Sequence, residues 1–134
     1  MATTLIHNAT LIDGRGGPPV PNAAVLLRDD RIEAVGPAAE VGDGPDGKTR
    51  VDAGGATLLP GLIDTHVHLM VEDVNLQRML ATPFSLNFYL ALPRMQRTLA
   101  AGVTSVRDAG GADLGLKRAV ESGLVPGPRM QIAT

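Results

Sequence analysis

The chain has 134 residues, twelve Lys and Arg against fourteen Asp and Glu, a formal net charge of −2 and a hydrophobic fraction of 44%. That balance carries no electrostatic footprint for nucleic acid, and sixteen glycines with ten prolines stay below the roughly 25–30% of a low-complexity chain. The lack of cysteine excludes disulfides and thiolate metal sites, leaving imidazole and carboxylate as metal ligands. No run approaches the ~18 apolar residues of a membrane span, and Met1 to His7 has no basic region followed by a long apolar stretch, so a cytoplasmic protein without a membrane partner is expected.

Strand-like runs at Thr4–His7 and Ala9–Ile12 open the chain, followed by a turn-rich loop from Asp13 to Asn22. Its glycines, Gly14 to Gly17, lack the Lys-Ser/Thr ending of a phosphate cradle and are not followed by a helix, so the loop is a plain connection. Ala24–Arg28 and Arg31–Val35 face each other across Asp29-Asp30, a tight hairpin in which Asp tolerates the turn dihedrals. Gly36 and Pro37 end it, Gly42 to Gly47 forms another loop, and Thr49–Asp52 is a further strand. Residues 1–57 therefore read as the N-terminal part of a small β-sandwich domain. His7 has no partner at ligand spacing and reads as a surface residue.

After Gly54-Gly55 comes the string Pro60 to Leu69, PGLIDTHVHL. In a strand, side chains at i and i+2 leave the same face with Cα atoms roughly 6.6 Å apart. Asp64, His66 and His68 therefore share one face, and a bond of roughly 2.0–2.1 Å from each imidazole could close on one cation. Ile63, Thr65, Val67 and Leu69 on the other face suit packing beneath helices. Three inward polar groups would be costly to bury unpaired, and a cation would offset that cost.

Val71 to Leu80 reads as a loop with a short helix. From residue 83 to 101, Phe84, Phe88, Ala91, Met95 and Leu99 recur at helical spacing, interrupted by Pro93, which predicts a kink or two shorter helices. Gly102 suits a left-handed helix cap. Val103–Asp108 is the next strand, Asp113 caps a helix running to Gly123, and Pro126-Gly127-Pro128 turns into a last strand, Arg129–Ala133. Two strand-helix alternations and a third strand are the repeat of a parallel barrel. With aromatics at only 2%, its core must be aliphatic.

The pattern Gly61-x-x-Asp64-x-His66-x-His68, preceded by Pro60, resembles the first barrel strand of the amidohydrolase superfamily of metal-dependent hydrolases. Thr98 to Gly111 and Lys117 to Met130 resemble the units that follow it, closest to the branch of Xaa-Pro dipeptidases and metal-dependent carboxypeptidases. The resemblance implies an α/β fold, the first part of a (β/α)8 barrel over residues 58–134, preceded by part of the β-sandwich. It also implies a divalent metal, often zinc, held by His66 and His68, in a site of one or two ions completed by later strands through a carboxylated lysine, two histidines and an aspartate. Such a barrel takes about 250 residues, so the chain is expected to be an N-terminal piece with negligible hydrolase activity by itself.

The implied activity is hydrolysis of C–N bonds, amide or peptide, by a metal-activated water, on a small-molecule or dipeptide-like substrate. Cyclic-amide hydrolysis or deamination are alternatives within the superfamily, a non-catalytic binding or assembly module is one outside it, and the oligomeric state stays open. Asp64 reads as a supporting group that orients a histidine or anchors local backbone rather than as a ligand. Arg107 and Asp108, at the end of the second barrel strand, are candidates for substrate contact, with a structural ion pair or a cap for the Gly110-Gly111 turn as the competing reading.

Overall fold

A computed structural model describes residues 2–73 and 75–133. They form two compact units, Met1–Pro60 and Gly61–Thr134.

The first unit is one mixed sheet. Its elements are β1 (Thr3–Leu11), β2 (Val20–Arg28), β3 (Arg31–Pro37), the four-residue helix α1 (Ala38–Val41), β4 (Thr49–Asp52) and β5 (Thr57–Leu58). The strand order is β3-β2-β1-β4, with β5 also pairing with β1. β2 runs antiparallel to β1 and β3, whereas β4 and β5 run parallel to β1. Buried Leu5, Ala24 and Leu26 pack against Ala34 and against Ala38 and Val41 of α1.

Two features differ from the strand runs read in the sequence. Thr4–His7 and Ala9–Ile12 are one strand, because the break at Asn8 is a bulge: Asn8 has φ 57, and the β1–β2 register shifts between Ile6 and Ala9. Asn accepts left-handed backbone at small cost, and its side chain donates to Asp52 Oδ1 at 2.8 Å. Between Pro37 and the loop from Gly42 to Gly47, a stretch given no element in the sequence forms α1, closed by the Gly42 N–H on the Ala38 carbonyl. The β2–β3 hairpin forms where expected, with Arg28 opposite Arg31 and Asp29 at φ 52.

The second unit contains β6 (Leu62–Val67), α2 (Leu76–Ala81), α3 (Phe84–Ala100), β7 (Val103–Asp108), α4 (Leu114–Glu121) and β8 (Arg129–Ile132). The three strands form a parallel sheet in the order β6-β7-β8, with helices in each connection. This is the expected strand-helix alternation. α3 is one helix and not two; Pro93 and Tyr89 are both exposed, so the carbonyl that proline deprives of a donor faces water. Gly102, at φ 84, closes α3 with its N–H on the Leu99 carbonyl, and Asp113 caps α4 by accepting the Leu116 N–H at 2.9 Å.

The sheet has two unlike faces. Along β7, Val106 and Asp108 are buried while Arg107 between them is exposed; along β8, Met130 is buried while Arg129 and Gln131 are exposed. Val106 and Met130 join Leu69, Met70, Ala91, Met95, Ala112 and Leu116 in the core beneath the helices. Val67 and Ile132 pack against the same cluster. Val67 and Leu69 thus take up the helix-side packing expected of their face, but Ile63 stays 71% exposed and Asp64 does not share the expected face with the histidines: the β6–β7 register shifts between Leu62 and Ile63 and again between Asp64 and Val67, which sets Ile63 beside Ser105 and Asp64 beside buried Val106.

Gly61 shows why the approach to β6 needs glycine: a Cβ there would overlap the Thr104 side chain on β7. Gly61→Ala should therefore lower the stability of this unit by about 1–3 kcal/mol. Thr104→Ala in that background, which removes the two nearest atoms, should recover part of the loss, as read by chemical denaturation.

Candidate metal centre

His66 lies near the end of β6 and His68 immediately follows it. Their ring centroids are 5.3 Å apart, with the planes inclined at 74°. Val67 between them packs into the helix-side core, so both imidazoles stand on the open face, the arrangement that period-two alternation dictates.

The orientation of His68 is fixed. Its Nδ1 lies 2.8 Å from the carbonyl oxygen of Gly110. A carbonyl only accepts, so Nδ1 carries the proton and Nε2 keeps its lone pair. The donor chemistry on this face, two imidazoles with one nitrogen so exposed, suits a divalent transition metal such as zinc. No group of three His, Asp or Glu side chains converges among the described residues, so any further ligand comes from outside this set.

Asp64 is not drawn toward the rings. Its Oδ1 accepts the backbone N–H of His66 at 3.0 Å, and it therefore anchors its own strand. Asp108 is fully buried, and its carboxylate is taken up by backbone amides: Oδ2 accepts from Leu69 at 2.7 Å, Oδ1 from Gly110 at 2.9 Å and from Ala112 at 3.3 Å. It caps the glycine turn and faces away from the open side, and no ion pair joins it to Arg107.

Arg107 is exposed, and no carboxylate pairs with it among the described residues. Val67 is registered with Asp108, and Arg107 with Gln131. The β6–β7 register shifts between Asp64 and Val67, and alternation about Val67 places His66 on the same open face as Arg107 and Gln131, with strands about 4.8 Å apart. Sequence reading missed Gln131, because a glutamine in a short strand signals nothing until its neighbour is known.

It also missed Arg94. From α3 its Nη1 donates to the Leu69 carbonyl at 3.2 Å, its Nη2 lies 3.5 Å from Glu72, and only 15% of its side chain is exposed. Arg78 binds the same Glu72 oxygen at 2.7 Å. The available signal was helical spacing, since Arg94 is three residues beyond buried Ala91 and so lies on the inner face. A cavity of about 350 Å³ beside this loop is lined by Met70, Glu72, Arg78, Leu86 and Arg94, and neither histidine reaches it.

His7, in the first unit, is half-buried. It lines a cavity of about 420 Å³ together with Asp43 and Arg50. There the Arg50 guanidinium, by its hydrogen bond and then its charge, holds the Asp43 carboxyl below the usual carboxylate range.

A model described as the amidohydrolase family matches residues 57–134. An imidazolonepropionase from Micrococcus luteus is 40% identical over 75 residues, 54% of this chain and 18% of that protein. Among solved structures, an amidohydrolase is similar with TM-score 0.88 and 37% identity, covering 98% of this chain and 31% of that one. A prolidase complexed with N-methylphosphonate-L-proline gives TM-score 0.86 and 34% identity, also over 98% and 31%. The chain thus spans about a third of the length of these solved relatives and under a fifth of the imidazolonepropionase.

The bond from Asp64 to the His66 amide needs only a carbonyl-type oxygen. Asp64→Asn should keep stability within about 0.5 kcal/mol of wild type, whereas Asp64→Ala should lose about 1 kcal/mol and speed amide exchange at His66.

Proposed function

The chain belongs to the amidohydrolase family, and from that premise we propose that His66 and His68 hold a divalent metal, zinc by preference, in a hydrolase of C–N bonds. The observation that carries the proposal is the pair of imidazoles 5.3 Å apart on the open face, one with its Nδ1 committed to a carbonyl. When bound, the ion supplies a water acidic enough to attack near neutral pH and polarises the scissile carbonyl.

The remaining work falls to side chains. His68, held by Gly110, would present Nε2 to the ion, and Asp64 satisfies the His66 amide where the β6–β7 register shifts. Arg107, adjacent to His66 across the sheet and unpaired among the described residues, suits an anionic group of the substrate, which its planar fork can bind in two places. Gln131, next in the row, can donate to or accept from the same substrate. Asp108, buried beneath, takes no part in contact with it.

A dipeptide with a free carboxylate, of the Xaa-Pro type, is the preferred substrate class. It rests on the likeness to the prolidase over 98% of the chain and on the exposed Arg107. A second reading, hydrolysis of a cyclic amide, is favoured by the 40% identity to an imidazolonepropionase. Turnover of a panel of Xaa-Pro dipeptides and five-membered cyclic amides by the zinc-loaded protein, expressed at its full gene length, separates the two. Hydrolysis of neither class would sink the proposal.

His66→Ala and His68→Ala should each reduce bound metal and cut turnover by orders of magnitude, while His7→Ala leaves metal content unchanged, as read by elemental analysis. Arg107→Met should raise KM for carboxylate-bearing substrates about 10- to 100-fold with a smaller change in kcat.

A further inference from the structure

The buried carboxylate of Asp108 reaches the open face only through other groups, and both routes end at His68. Oδ2 accepts the N–H of Leu69, the residue directly after His68, at 2.7 Å. Oδ1 accepts the N–H of Gly110 at 2.9 Å, and the carbonyl of that same residue accepts from His68 Nδ1 at 2.8 Å. One carboxylate thus holds the backbone that carries the imidazole and the turn that orients it. The turn is constrained by its backbone: Gly110 and Gly111 sit at φ +157 and +112, and a Cβ on Gly111 would come within 3.2 Å of Val71, while one on Gly110 would meet the His68 ring at an ordinary 3.9 Å.

We propose that Asp108 is a positioning residue for the metal centre: through the Gly110 carbonyl it locks His68 in the Nδ1–H tautomer and so presents the Nε2 lone pair to the ion. The inference rests on the reading of His68 as a metal ligand. Free histidine favours the opposite tautomer, with the proton on Nε2, so a ring released from Gly110 spends most of its time with that lone pair blocked. Asp108 touches neither ion nor substrate. Its effect is to keep the turn from relaxing, which a carboxylate fully withdrawn from water and bonded to three amides can do.

The test uses the protein expressed at its full gene length, labelled with 15N-histidine, with zinc affinity read by indicator competition. In the metal-free wild type, His68 should show the 15N shifts of the Nδ1–H form. In Asp108→Ala it should revert to the Nε2–H form, with zinc affinity falling about 10- to 100-fold. Asp108→Asn, which keeps one acceptor oxygen, should fall between. Asp113→Ala serves as the structural control: it removes the cap of α4 and should lower thermal stability without moving the His68 signals or zinc affinity. If Asp108→Ala does not fold, Gly110→Ala, which leaves the carboxylate in place but strains the turn, should give the same change of tautomer.

A His68 that stays Nδ1–H in these variants, or zinc affinity within twofold of wild type, overturns the inference. If the wild type takes up no zinc but the tautomer still switches on loss of Asp108, the metal reading fails and the positioning role stands.

Discussion

Everything functional in the second unit depends on the parallel sheet having one greasy face and one wet face. Val67, Val106, Met130 and Ile132 go under the helices, and alternation about these residues sends His66, Arg107 and Gln131 the other way, beyond the irregular first half of β6. Apolar burial of order 1.5–3 kcal/mol per large side chain pins that register. A slip of one residue on any strand would exchange the two sets and bury charge. The polar row is therefore secured by residues that take no part in chemistry.

Asp108 is the exception on the covered side, a carboxylate among aliphatics. Burying such a group would be expensive without donors, and three backbone amides supply them. These amides come from two connections, the one leaving β6 and the one leaving β7. Arg94 ties the first of these to α3 from the opposite direction through the Leu69 carbonyl. The segment after His68 is thus held at both its N–H and its C=O, which is tighter than its position in a loop suggests.

What the sequence made legible was local. Asp29 in the hairpin, Gly102 after α3, Asp113 before α4 and the shared face of His66 and His68 each follow from dihedral preference or periodicity within a few residues. What stayed hidden depends on distant partners. The bulge at Asn8 needs β2 and Asp52, the partner of Leu69 lies 39 residues away, and Gln131 matters only because β8 is registered with β7. Pro93 misled for the same reason, since its tolerance in α3 depends on which side of the helix meets water.

The two imidazoles issue from a single stretch of backbone, separated by one residue whose side chain is anchored in the core. On the proposed metal reading, an ion caught by either ring would meet the other close by, so the second bond would close within one stretch of backbone at little additional ordering cost. The pair would then act as a built-in bidentate chelate. Its weak point is mechanical: a disturbance that tilts the end of β6 displaces both donors together.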